Sequence, residues 1–317
     1  MLFKTALSFV SPAGQRGRLC IFIFHRVLPQ PDPLFPDEPC VRRFDEMMGW
    51  LAGWFNVLPL DEAVERLHRG LLPARAAAIT FDDGYADNLL HATPILIKHN
   101  LTATFFIATG FLDGGVMWND IIIESIRTAR NPEIDLGWLG LGVLSIASID
   151  EKRSAIEQVL RGIKHRPCAE RDEAVESIRL ICAGNVPRDL MLAATQLQEL
   201  REGGMSIGAH TVSHPILAQH PDAAARQEIA DSRDFLEELL KERVPLFAYP
   251  NGKLGRDYLP KHVEMARELG FTAAVSTNWG VGAEGRDLYQ LPRFTPWQRS
   301  RLGYCSRLLR NYLPGRA

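Results

Sequence analysis

A chain of 317 residues that is 46% apolar and 23% charged has the material for one large core. Its formal net charge of -2 excludes a charge-driven case for binding nucleic acid or other polyanions. The five cysteines (Cys20, Cys40, Cys168, Cys182, Cys305) are odd in number and contain no C-x-x-C pair, which favours free thiols over a disulfide framework.

From the N-terminus, MLFKTALSFV offers one Lys and a short apolar patch, Ala6 to Val10, which is a poor signal-peptide core. No apolar run approaches the length of about eighteen residues that spans a bilayer. The reading is a mature chain in the cytoplasm. Short apolar runs then alternate with helical patterns, as in a largely parallel βα sheet. Strands are expected at 19–24, 56–60, 76–81, 102–108, 205–209, 246–249, 272–276 and 291–295. Helices are expected at 86–99, 222–241 and 261–269. Seven or eight such strands suit a barrel, whose active site lies at the C-terminal strand ends.

The alternation fails between about 111 and 196, where helical pieces (120–130, 150–164, 169–182) occur without a convincing strand. This stretch reads as a helical insertion in a single domain covering 1–317, either a lid or wall over a site or a purely structural outgrowth. The tail at 298–317 carries five arginines (Arg299, Arg301, Arg307, Arg310, Arg316) and no acid. A basic amphipathic helix there could touch an anionic membrane surface from the inner face, and a solvated Arg-rich helix is the alternative.

Three segments follow expected strands and carry chemistry. The first is Ile79-Thr80-Phe81-Asp82-Asp83-Gly84, where a buried strand ends in two adjacent carboxylates. Asp-Gly alone suits a turn. The second, His210-Thr211-Val212-Ser213-His214, spaces two imidazoles four residues apart, so that one turn aims both at one point. Two histidines and a carboxylate form an open zinc-type set, and either Asp82 or Asp83 can supply the oxygen while its neighbour handles the proton of an acidified water. The third is Tyr249-Pro250-Asn251-Gly252, a turn able to aim the Asn251 N–H at an oxyanion, with Tyr249 and Pro250 as substrate contacts. Trp118, Trp279 and Trp297 could stack on sugar rings or be core residues, and Trp279, behind a strand, is placed in the site. The remaining histidines, among them His99 and His262, read as surface residues.

Together the three segments resemble the motifs of the polysaccharide deacetylase family, the NodB-homology carbohydrate esterases. T-F-D-D-G stands at 80–84, H-[ST]-x-x-H at 210–214, and the proline–glycine turn at 247–252. The resemblance implies a distorted (β/α) barrel of about seven strands, NodB-like. It also implies Asp82 as general base and Asp83, His210 and His214 as ligands of one divalent metal ion, zinc before cobalt, nickel or manganese. The implied reaction removes N-acetyl groups from an amino sugar of a poly- or oligosaccharide, with acetate released. Two positions depart from the family pattern. Ala248 stands where an arginine usually orients the base, which leaves Arg293 as the candidate replacement. The late Leu-x-His that supplies a general acid is absent, which leaves His25, directly after the first strand. Two other readings stay open, a hydrolase of non-glycan C–N bonds and a glycan-binding pseudoenzyme.

Overall fold

The computed structural model describes residues 2–295, 298 and 300–313. In chain order the elements begin α1 (Leu2–Val10), β1 (Cys20–Phe24), α2 (Val41–Trp54), β2 (Asn56–Val57), α3 (Leu60–His68) and β3 (Ala76–Phe81). A π-helical turn, Asn88–Ala92, runs into α4 (Thr93–Lys98), followed by β4 (Thr104–Ile107). Then come α5 (Trp118–Thr128), β5 (Glu133–Leu136), β6 (Gly142–Ser145), α6 (Ile149–Ile163), α7 (Cys168–Cys182) and α8 (Ala194–Glu202). The chain continues through β7 (Ser206–Ala209), α9 (Asp222–Leu240), β8 (Leu246–Ala248), α10 (Pro260–Glu268), β9 (Ala273–Val275), β10 (Arg293–Phe294) and α11 (Arg301–Asn311).

The sheet runs β10-β1-β3-β4-β7-β8-β9, parallel throughout, with β2 added to the start of β3. Leu291, just before β10, bridges Val275 of β9, so the sheet nearly closes into a distorted (β/α) barrel. The strands are short and almost wholly buried, as expected where helices cover one face and a filled barrel the other. Alternate residues divide between the two sides. Phe22, Phe24, Phe81 and Phe105 join the cluster of Phe44 and Met48 from α2, whereas Ile21, Ala78, Phe106, Ala248 and Val275 belong to a second cluster. Gly208 makes this possible, because a Cβ there would lie 2.4 Å from the Phe106 ring. On β3 the phase that holds Ala78 also holds Thr80 and continues to Asp82, which therefore arrives at the mouth of the barrel.

The region between β4 and α8 corrects one expectation. Its helices stand where the sequence placed them, but it also contains an antiparallel hairpin, β5 paired with β6 from Glu133↔Ser145 to Leu136↔Gly142. Each strand has only four residues, too few to distinguish alternation from helix or loop. This segment has its own apolar cluster, including Ile122, Ile134, Leu144, Ile156 and Ile178, with Leu34 from the loop after β1. Its helix α6 starts on a Ser148–Glu151 capping box. Among the described residues no helix is long and apolar enough to cross a membrane.

Candidate active site

Asp82 and Arg293 form the innermost part of the site. β10 lies against β1, with Ile21 opposite Arg293, and β1 lies against β3, with Ile23 opposite Thr80. This places the Arg293 guanidinium inside the barrel mouth, fully buried, where Nη1 and Nη2 meet the two Asp82 oxygens at 2.6 and 2.7 Å. Arg293 Nε donates to the Ser276 carbonyl at 2.9 Å and Nη1 also reaches Thr80 Oγ1 at 3.2 Å. The fork geometry is the strong form of the carboxylate–guanidinium pair. Burial alone would raise the Asp82 carboxyl, but Arg293 first, and then His210, hold it below the usual carboxylate range. Arg293 thus brings a guanidinium to Asp82, which Ala248 cannot.

Next to it, Asp83 Oδ1 lies 3.5 Å from His210 Nε2 and 3.4 Å from His214 Nε2. That oxygen is buried and accepts no hydrogen bond. One ligand atom from each of Asp83, His210 and His214 falls within 4.8 Å of the others. His210 Nδ1 faces the Ala248 carbonyl at 2.7 Å, so Nδ1 carries a proton and Nε2 is the ring nitrogen turned towards Asp83. Burial pushes His214 down to about 4, whereas the Asp82 and Asp83 carboxylates outweigh burial at His210 and raise it. The Asp83 carboxyl is held far below its ordinary value because the two imidazoles outweigh its burial.

The backbone here is specialised. Asp83, Thr211, His214 and Asn251 all have positive φ (77°, 65°, 52° and 59°), a strained choice for residues other than glycine that clusters at functional sites. The histidine loop is fastened from outside by Glu228, whose carboxylate accepts the N–H groups of Val212 and Ser213 at 2.9 and 2.8 Å. Thr211 Oγ1 accepts the His214 N–H at 3.1 Å.

A cavity of about 570 Å³ opens beside Asp83, walled by the loop after β1 and by α5, with His25, Glu38, Tyr85 and Asp120 in its lining. His25 is held there by the tail of the aspartate segment. Asn88 Nδ2 donates to the His25 carbonyl at 2.8 Å, and Asp87 takes Arg26 Nε at 2.8 Å and the Val27 N–H at 3.1 Å. The Arg26 guanidinium lies 4.5 Å over the Tyr85 ring, and the Tyr85 hydroxyl donates to Asp120 at 3.0 Å. Burial pushes Asp120 up to about 7 despite Arg26 and the Tyr85 hydrogen bond. The sequence did not single out Tyr85, Asp87, Asp120 or Glu38. Asp87 and Asn88 carry a signal, as polar residues following a metal-type motif, but nothing local shows that α5 turns Asp120 into this cavity.

Three expected contacts are placed differently. The Tyr249 side chain is fully buried, stacked on Tyr258 at 3.9 Å, with its hydroxyl donating to the Tyr289 carbonyl at 3.0 Å. It is a core residue, because β8 continues its outward phase through Phe247 to Tyr249. Pro250 is buried too, and its carbonyl accepts the Gly252 N–H at 2.6 Å, closing the turn that sets Asn251. The Asn251 N–H makes no hydrogen bond among the described residues, while its carbonyl accepts Thr277 Oγ1 at 2.7 Å. Trp279 is not among the residues lining the cavity. It sits in a separate groove with the Arg307 guanidinium 4.1 Å over its ring. Trp297 lies outside the described residues, as do Arg299 and Arg316 of the tail. Trp118, half-buried, packs with the apolar cluster of the inserted segment. His262 is buried, with Nδ1 accepting the Leu259 N–H at 3.0 Å, and is no surface residue.

Comparison with known proteins agrees with this geometry. The family model described as polysaccharide deacetylase matches residues 70–133 and 171–274, more than half of the chain. YxkH of Bacillus subtilis (strain 168), a protein named as a polysaccharide deacetylase, is 22% identical over 254 residues, which cover 80% of this chain and 63% of YxkH. The chain therefore spans less than two thirds of that relative. The structure of Streptococcus pyogenes deacetylase PplD in complex with acetate superposes with a TM-score of 0.62 at 21% identity, covering 94% of this chain and 99% of PplD. IcaB from Ammonifex degensii gives a TM-score of 0.59 at 19% identity, with 95% and 98% covered. These two structures share the fold. The family model, with the Asp-Asp and His-x-x-x-His pairs at one barrel mouth, leads to a single assignment: the chain belongs to the polysaccharide deacetylase family.

Proposed function

We propose that this protein is a divalent-metal-dependent hydrolase that removes N-acetyl groups from amino sugars of a poly- or oligosaccharide. The observation that carries the reading is the adjacency of two differently equipped carboxylates, Asp82 clamped by Arg293 and Asp83 facing His210 and His214. The donor set fits a zinc-type ion, because Asp83 Oδ1 is buried without a hydrogen bond and both histidines turn Nε2 towards it. Asp83, His210 and His214 would hold the ion, which when bound supplies Lewis acidity to a water and to the amide carbonyl.

The chain's own residues do the rest. Asp82 Oδ takes the proton of the attacking water, and Arg293 keeps that carboxylate ionised and aimed. The unengaged Asn251 N–H donates to the oxygen that gains charge as the carbonyl becomes tetrahedral. His25, on the cavity wall, gives a proton to the departing amine nitrogen. The C–N bond breaks, acetate leaves, and the sugar keeps a free amine.

Acetate release from a panel of N-acetylated glycans, measured together with bound metal, tests the reading. Metal that is lost in Asp83→Ala, with acetate release lost in Asp82→Ala, supports it. Metal without release from any glycan turns the assignment towards a non-glycan amide hydrolase or a binding protein.

A further inference from the structure

Helix α11 contains no acidic residue and carries Arg301, Arg307 and Arg310, while Arg18 donates to the Tyr312 carbonyl at its end at 2.6 Å. Tyr304 and Leu308 seat it on the core, where Tyr304 meets Trp50 and Phe294 at 5.7 and 6.1 Å. Its other side leaves Leu302 84% exposed, and Leu313 just beyond is 61% exposed. α1 adjoins it through Trp54, whose ring meets Phe3 of α1 at 4.6 Å and Tyr304 of α11 at 6.1 Å; α1 also lacks acids and exposes Phe9 by 82%. Between α11 and the loop after β9 is a groove of about 340 Å³ lined by Trp279, Gln298, Ser306, Arg307 and Arg310.

Most arginines elsewhere on this surface are paired, for instance Arg66 with Glu62, Arg161 with Glu157 and Arg179 with Glu176. Among the described residues no carboxylate lies within ion-pair distance of Arg301, Arg307 or Arg310. Arg307 Nε is buried and has no hydrogen-bond partner. Unpaired guanidinium groups next to exposed Leu and Phe match a surface that presents phosphate above hydrocarbon. A sugar is the poorer occupant of the groove, because Arg307 covers one face of Trp279 and the Phe294 ring lies 6.2 Å away.

We propose that α11, its groove and the adjoining α1 form a docking surface for an anionic phospholipid bilayer. Gln298 lines both this groove and the catalytic cavity, and its carbonyl takes Arg43 Nη2 at 2.7 Å. A docked bilayer therefore lies beside the cavity mouth, and glycan carried or emerging at that bilayer meets the site directly. That consequence rests on the deacetylase reading; the docking does not.

The test is sedimentation of the full chain with vesicles of phosphatidylcholine alone and of phosphatidylcholine with about one third phosphatidylglycerol, at low and high salt. Binding is expected only to the anionic vesicles, with release by salt. Arg307→Gln with Arg310→Gln should lower partitioning about 25-fold, roughly fivefold for each arginine. Leu302→Ser with Phe9→Ser should weaken it at every salt concentration, and all variants should keep the parent melting temperature. Equal binding to both vesicle types, no binding to either, or unchanged partitioning of the arginine variant overturns the proposal. So does retention on a soluble anionic polymer without vesicle binding. Acetate release is not among these measurements, so a failure of docking and a failure of the catalytic reading are told apart.

Discussion

Replacing Arg293 by Met removes a fully buried guanidinium of similar length while leaving Asp82 in place. Four hydrogen bonds go, two of them to the Asp82 carboxylate. Breaking a buried ion pair from one side typically costs about 3–5 kcal/mol, because the remaining charge stays buried and uncompensated. For 317 residues the unfolding entropy is roughly 0.7 kcal/mol per degree, which converts that loss to a fall of about 4–8 °C in Tm. The same change leaves burial as the leading influence on Asp82, so its carboxyl rises and the acidic limb of kcat/KM moves to higher pH. Acetate release across pH, with thermal unfolding of the same samples, reads both effects. Arg293→Lys, which keeps charge but not the fork, should fall between, and adding Asp82→Asn to Arg293→Met should recover part of the lost stability. An Arg293→Met protein that melts within about 1 °C of the parent with an unmoved acidic limb refutes the pairing argument.

Asp83→Ala and His214→Ala should each abolish stoichiometric metal by elemental analysis, whereas Asp82→Asn should keep the metal and lose about 100-fold or more in turnover. His25→Ala should lower kcat by about 100-fold with metal content unchanged, and turnover equal to the parent would remove it from the proton path. Asp120 makes a stability prediction. Its folded value of about 7 exceeds the roughly 3.9 of an unfolded aspartate, so between these pH values the native chain holds a proton that the unfolded chain has released. The group's stabilisation is full below about pH 4 and lost as pH rises through 7. Asp120→Asn should flatten that part of the Tm–pH curve and gain up to about 4 kcal/mol above pH 8, and a curve parallel to the parent's would count against it.

The barrel and the two motif pairs were legible because both are local. Ala76–Phe81 is an uninterrupted apolar strand whose end delivers adjacent carboxylates, and the histidine spacing is set within one loop. Arg293 was legible only through the family pattern, as an arginine on another strand end where Ala248 leaves a gap. Tyr249 and Trp279 were misplaced for a physical reason. Following a strand does not say which way a side chain turns, and one residue of phase sends Tyr249 into the core. Likewise the direction of Asp120 depends on how α5 docks through Ile122 and Ile126, a tertiary fact with no local spacing to reveal it. The hairpin β5–β6 escaped for a different reason, since four-residue strands carry too few alternations to count.

The pairing of β10 with β1 has a consequence for biosynthesis. The aspartates and their strand are made early, but the guanidinium that neutralises Asp82 belongs to the last strand of the sheet. Closing so long a loop is slow, and contacts of this separation form late in folding. A chain emerging from the ribosome thus carries an incomplete site until β10 docks, and the hydrolytic competence proposed above would report on barrel closure. In refolding experiments activity should return with the slowest phase, behind the signal from helices that need only their neighbours.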